Sequence, residues 1–162
     1  MENYAGECGN AFARFVFERD SIMKSKQSTA GLSQLGTKVA IAASPDDAKL
    51  ETFPNPYPGK QYRVTLDCPE FTSMCPVTGQ PDFARIKIQY VPKKNCIESK
   101  SLKLYLGSFR NQGQFAETIV NRIIDDIVTA CKPHYCVVKG DFTPRGGIAI
   151  EVVAEHGDLP HD

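Results

Sequence analysis

The chain has no excess of either charge: 19 basic residues balance 19 acidic ones over 162 positions. No net field recruits nucleic acid or an anionic membrane. Lysines and arginines are scattered, whereas duplex binding normally needs a clustered basic surface. No apolar run approaches the roughly 20 residues that span a bilayer. The opening stretch, Ala11-Phe12-Ala13-Arg14-Phe15-Val16-Phe17-Glu18-Arg19, is too interrupted by charge for a signal peptide. There is no G-x-G-x-x-G turn, so a Rossmann domain is not expected. Repeats and low-complexity tracts are missing too. These absences point to a cytosolic protein with neither a membrane nor a nucleic-acid partner.

Hydrophobic residues make up 41% of the chain and aromatics 9%, normal for a globular core. In a cytosolic protein the six cysteines are expected to be free thiols. Cys131-Lys132-Pro133-His134, with Cys136 close behind, has a spacing that zinc sites use. Cys131, however, ends an apolar helical stripe, and Pro133 breaks the helix ahead of a strand. We therefore expect no metal site.

Residues 1–30 are expected to form a mobile N-terminal extension, with room for a short apolar helix from Ala11 to Phe17. Residues 31–162 are expected to form one domain. Leu32 to Ala43 begins it, and Asp46 to Lys60, with three prolines, reads as extended connection. Gln61 to Leu66 alternates, with Tyr62, Val64 and Leu66 on one face. Ala84 to Tyr90 alternates more strictly, Ala84, Ile86, Ile88 and Tyr90 against Arg85, Lys87 and Gln89, the period of a half-buried strand. Ser99 to Asn111 carries Leu102, Tyr105, Leu106 and Phe109 at helical spacing. Phe115 to Cys131 is the clearest helix, with Ile119, Val120, Ile123, Ile124, Ile127, Val128 and Cys131 in one stripe. Tyr135 to Phe142 and Gly147 to Ala154 are the last strands, joined through Pro144-Arg145-Gly146-Gly147. The order ββααββ predicts an α+β domain: an antiparallel four-stranded sheet with two helices on one face. Such an open sheet leaves edge strands that must be covered or paired.

The chemistry is concentrated in Cys75-Pro76-Val77-Thr78-Gly79-Gln80-Pro81-Asp82. One cysteine and one acid stand at the two ends of a short loop stiffened by prolines and a glycine. An ionised thiol is a strong nucleophile, and a carboxyl group in the same pocket can move the proton that thiol addition requires. The competing reading is a turn between strands, with an inert buried cysteine and a turn or cap aspartate.

Around the loop stand Phe53-Pro54-Asn55 and Asp67-Cys68-Pro69-Glu70-Phe71-Thr72-Ser73. Further on come Glu98-Ser99-Lys100-Ser101-Leu102-Lys103-Leu104-Tyr105, Ser108-Phe109-Arg110-Asn111 and Phe142-Thr143-Pro144-Arg145-Gly146-Gly147. In order and spacing this set resembles the QueF family of single-module type, from about Leu32 to Val153. These are the NADPH-dependent 7-cyano-7-deazaguanine reductases of queuosine biosynthesis. The run Glu98 to Tyr105 resembles the pattern that separates the family from its fold relatives.

The resemblance implies a tunnelling fold whose subunits close into barrels, two of which stack into a decamer with active sites at subunit interfaces. It implies Cys75 as the nucleophile that forms a covalent thioimidate with the nitrile, and Asp82 as the acid. Two NADPH would take the nitrile to 7-aminomethyl-7-deazaguanine. Ile97, Glu98, Ser99, Phe115, Ala116 and Glu117 match substrate-binding positions, with Glu98 and Glu117 suited to the guanine-like edge as bidentate acceptors. By themselves these residues read more plainly: Glu117 is also what a helix first turn favours, and Phe115 fits a core position. Ser99, Lys100, Lys103, Arg145 and Gly146 match cofactor-binding positions, with Arg110 a weaker candidate; alone, Lys100 and Lys103 read as a solvated helix face. Ala116 stands where many members carry histidine, so no imidazole role is open to it. The alternatives are an amidinotransferase like the archaeal QueF-like enzymes, a zinc hydrolase like GTP cyclohydrolase I, and a silent purine-binding oligomer.

Overall fold

Strict alternation along the third strand sets the architecture. The structure, a computed structural model, describes Thr29 and residues 31–158; the expectations of a mobile extension and of a short helix from Ala11 to Phe17 fall, Thr29 apart, outside the described residues. Strands β2 (Val64–Met74), β3 (Pro81–Val91), β5 (Tyr135–Arg145) and β6 (Ile148–Gly157) form one antiparallel sheet in the order β2-β3-β5-β6. Directly paired residues share a face, so Leu66, Ile88, Val138 and Ala154 make one inward row across all four strands. The other face is polar. There Arg85 is forked on Asp67, and Lys139 pairs with Glu151 at 2.7 Å. Such exposed pairs add little stability, about 0–1 kcal/mol each.

Helices α1 (Ser99–Gly107) and α2 (Ala116–Cys131) cover the inward face. In α2, Ile119, Val120, Ile123 and Ile127 are fully buried, each stabilising the fold by about 1.5–3 kcal/mol relative to exposure. The helix rides close to the sheet because β5 offers Gly140: a Cβ there would stand 2.7 Å from Val120 Cγ2. Lys132, left-handed at φ 47°, ends α2 by donating its N–H to the Val128 carbonyl. Pro133 cannot continue the helix. Phe109 follows α1 in a 3-10 turn, Ser108–Asn111, and packs against Phe71 and Tyr105. The Tyr105 hydroxyl donates to Asp126 at 2.6 Å, tying the two helices together.

Several boundaries depart from the sequence reading: β3 already starts at Pro81, β5 runs on to Arg145 and β6 to Gly157. The first strand of the sheet starts at Val64, not Gln61, and runs on to Met74 through Pro69. Its pairing with β3 slips between Cys68 and Phe71, and a bulge on an edge strand is where proline is tolerated. Within Asp46 to Lys60 lies β1 (Thr52–Pro54), which pairs with β4 (Asn95–Ile97) in a second, two-stranded sheet. Helix Ser99 to Asn111 divides into α1 and the 3-10 turn.

Residues 33–46 have no regular structure but are held at several points. The buried Glu51 carboxylate accepts from the Ser33 and Gln34 N–H groups and the Ser33 hydroxyl. Gln112 donates to the Ala43 carbonyl at 2.8 Å, and Arg122 pairs with Asp46 at 2.6 Å.

Candidate active site

The hairpin between β2 and β3 puts Cys75 in a closed turn. The Cys75 N–H donates to the Gln80 carbonyl at 2.8 Å, and the Gly79 N–H donates back to the Cys75 carbonyl at 2.9 Å. Gly79 sits at φ 67°, a conformation side chains resist. This curl aims donors at the sulfur. The Thr78 hydroxyl, then the Thr78 and Val77 N–H groups, pull the Cys75 thiol down to about 7, against burial and the nearby Asp82 charge. A thiol drawn down in this way carries more thiolate at neutral pH than a free one.

Asp82 lies inside β3, opposite Ser73 of β2. A cation stands beside it: Arg145 of β5 pairs with the Asp82 carboxylate at 2.6 Å. Arg145 also donates to the Pro81 and Gln80 carbonyls. The tight turn that brings it there uses Gly146 and Gly147, at φ 56° and 82°.

The start of α2 joins this end of the sheet. The Met74 N–H donates to the Gln112 carbonyl at 3.0 Å, and the Gln114 N–H donates to the Met74 carbonyl at 3.2 Å. Gly113 lets the chain pass so close that a Cβ on it would meet Pro76 Cα at 3.3 Å. Phe115, 59% exposed, then caps α2 without a side-chain bond, and the exposed Glu117 stands in its first turn with Ala116 between. Cys75, Asp82, Arg145, Gly146 and the Phe115–Glu117 corner are thus brought together.

The other candidates lie around α1. Ile97 is buried, its N–H donating to the Tyr90 hydroxyl at 3.0 Å. Glu98, 6% exposed, caps α1 by accepting from the Lys100 N–H at 2.9 Å and the Ser101 N–H at 2.7 Å. The Lys100 ammonium donates to the Gln34 and Thr37 carbonyls and so holds the 33–46 segment. Ser99 and Lys103, with Arg110, line a cleft of about 510 Å³ between β2 and α1, floored by Leu66, Phe71, Leu102 and Leu106. Cys75 and Asp82 do not line that cleft.

The QueF-like protein family model matches residues 81–161. The NADPH-dependent 7-cyano-7-deazaguanine reductase of Anaeromyxobacter sp. (strain K) is 57% identical over 111 residues, covering 68% of this chain and 91% of that protein. The reductase of the same name from Nitratidesulfovibrio vulgaris (strain DP4) is 50% identical over 133 residues, covering 82% of this chain and 81% of that protein. This chain belongs to the QueF family. Among solved structures, the apo form of the archaeosine synthase QueF-Like is similar at a TM-score of 0.54 and 23% identity, over 62% of this chain and 96% of that one. The α+β tunnelling fold expected of a QueF chain is the fold observed.

Two contacts of the candidate site were not foreseen from sequence. Thr78 tunes Cys75, and a hydroxyl three residues after a cysteine in a Pro/Gly turn is a signal that could have found it. Arg145 was read for a cofactor, but its contact with Asp82 joins residues far apart in the chain and has no local signature. Among the described residues, no group of three or more His, Cys, Asp or Glu side chains is arranged to hold a metal ion. Cys131 and Cys136 are packed in the core, where burial pushes both thiols up to about 12.

Proposed function

We infer that this chain is an NADPH-dependent oxidoreductase that reduces the nitrile of 7-cyano-7-deazaguanine to 7-aminomethyl-7-deazaguanine in queuosine biosynthesis. The observation that carries this reading is the Cys75 thiol, drawn down to about 7 in a donor-lined turn beside Asp82. The Cys75 thiolate adds to the nitrile carbon, forming a C–S bond and moving a π-electron pair onto nitrogen. Asp82 gives that nitrogen its proton, and the product is a covalent thioimidate. General acids of this kind contribute about a hundred- to ten-thousand-fold.

NADPH supplies the hydrides, two per nitrile taken to amine. The cleft residues suit its phosphates: Lys103 and Arg110 are cationic, Ser99 is a small donor, and the floor is apolar. Arg145 and Gly146 supply a further cation and an open backbone beside Asp82. After the first reduction the C–S bond breaks, the thiolate leaves, and an imine remains. That imine must be kept from water.

Exclusion of water is what assembly would provide. Among the described residues, β2 and β6 each have one strand partner and one open edge. On β6, Ile148, Ile150 and Val153 stand 71%, 44% and 49% exposed. We read both edges as closed by further copies of the chain into a barrel, stacked as a decamer, with residues 31–162 as the catalytic domain of each subunit. Closure would also bring the α1 cleft to a neighbouring Cys75. Glu117 is the freely exposed acceptor for the purine-like edge. Each Glu98 oxygen already accepts one N–H and keeps one lone pair for substrate. Ile97 and Ser99 flank it, and Phe115 offers a face for stacking.

The test mixes the protein with 7-cyano-7-deazaguanine and NADPH and follows cofactor absorbance. Two NADPH should be consumed per nitrile, and none by Cys75→Ala. Nitrile bound without NADPH oxidation would instead mark a silent binding module.

A further inference from the structure

Among the described residues, three buried side-chain oxygens lack any hydrogen-bond partner: Gln34 Oε1, Ser73 Oγ and Gln114 Oε1. Two of the three lie at the Cys75 end of the sheet. An unpaired buried hydroxyl costs stability, so its presence asks for a state in which it is paired. Ser73 is 1% exposed, and its cross-strand partner in the β2–β3 register is Asp82. Opposed residues of an antiparallel pair share a face with Cβ atoms about 4.5–5.5 Å apart. A carboxyl at Asp82 can therefore reach Ser73 Oγ by rotating its own side chain. In this structure it is turned outward instead, onto the half-exposed Arg145.

We propose that Asp82 has a second, inward position hydrogen-bonded to the Ser73 hydroxyl, and that Ser73 is the positioning residue from which the acid works. This rests on the reading of Asp82 as the proton donor. An inward carboxyl is desolvated, which favours the neutral, proton-carrying form. The Ser73 O–H donates to its carbonyl oxygen and leaves the acidic O–H free to face the nitrile nitrogen. The proton passes to that nitrogen as the C–S bond forms, leaving a carboxylate. The outward pairing with Arg145 is then the ionised half of the cycle. One rotation accounts for both the orphaned hydroxyl and the cation beside an acid.

The test is a set of variants read by turnover and by melting. Ser73→Ala should lower kcat for nitrile reduction by at least about tenfold, the low end of what a general acid supplies, with KM little changed. Ser73→Thr, which keeps the hydroxyl, should recover most of it. In the otherwise native protein Ser73→Ala should not lower the melting temperature, because the deleted hydroxyl is unpaired. In an Arg145→Ala background Asp82 turns inward, and there Ser73→Ala should lower melting by roughly 2–4 °C. Unchanged kcat in Ser73→Ala, or the same melting shift in both backgrounds, would overturn the proposal. The melting cycle needs no turnover, so a protein that fails to oxidise NADPH would sink the functional reading while the cycle still decides the Ser73–Asp82 contact.

Discussion

Cys75 and Cys136 are the same side chain in two solvents. Cys75 sits half-buried at a hairpin, where the Thr78 hydroxyl and the Thr78 and Val77 N–H groups draw its thiol down to about 7. Cys136 lies in β5 beneath α2, fully buried, and burial drives it up to about 12. Cys131, across the same seam, behaves alike. Glu51 shows that burial alone does not silence an acid. It is only 3% exposed, and desolvation pushes its pKa upward. Yet the Ser33 hydroxyl, the Ser33 and Gln34 N–H groups and Lys49 outweigh that and hold it at about 2. What decides ionisation is the supply of donors, and a curled turn or an irregular loop can supply them where a packed helix–sheet seam does not.

The sharpest break of this contrast is at the nucleophile. Cys75→Ala should abolish NADPH oxidation with the nitrile, while Cys136→Ala retains it. Mass-spectrometric mapping after iodoacetamide at neutral pH should find Cys75 labelled in the folded protein, and Cys131 and Cys136 only after denaturation. Early labelling of Cys136 would contradict the contrast.

The packed seam should fail in the opposite way. Ile123→Ala should cost about 2–5 kcal/mol in urea unfolding through the cavity it leaves. The alkylation rate of Cys75 in the remaining folded protein should stay as it was, since the turn's donors are local.

Thr78→Val keeps the shape of the turn and removes one donor. The Cys75 pKa should move up from about 7 toward its ordinary value. Its thiolate fraction and alkylation rate at neutral pH should then drop several-fold, an effect that raising the pH restores. A pH–rate profile that does not move would assign the low pKa elsewhere.

The last effect is read in acid, at Glu51. Its folded pKa lies below the ordinary carboxylate value, so its contribution is fully present above about 4.5 and is lost as pH falls toward about 2. Glu51→Gln should flatten that part of the stability–pH curve and leave the neutral plateau lower. Equal acid sensitivity in both proteins would count against the buried carboxylate.

Much of the fold was legible because it is periodic. Alternation from Ala84 to Tyr90 and the isoleucine stripe of α2 each mark a buried face without reference to any other segment. The β1–β4 pair was not legible, since strands of three residues have no period to detect and their partners lie 41–45 residues apart in the chain. Pro69 hid the length of β2, because a bulged edge tolerates a residue that a central strand would reject. In the site, Cys75 and Asp82 were visible as types at the ends of one turn. Lys100 was read for a cofactor, and its contact with the Gln34 and Thr37 carbonyls, more than 60 residues away in the chain, had no local signature.

By itself the sequence determined the α+β order, the core faces, the candidate loop and the family, all of which depend on residues near one another or on a pattern carried whole. Only the tertiary structure decided that Lys100 holds the 33–46 segment, that Arg145 meets Asp82, and that Ser73 is buried without a partner. Those depend on which groups arrive from distant segments, and side-chain electrostatics at a few ångströms is set by that arrival rather than by residue type.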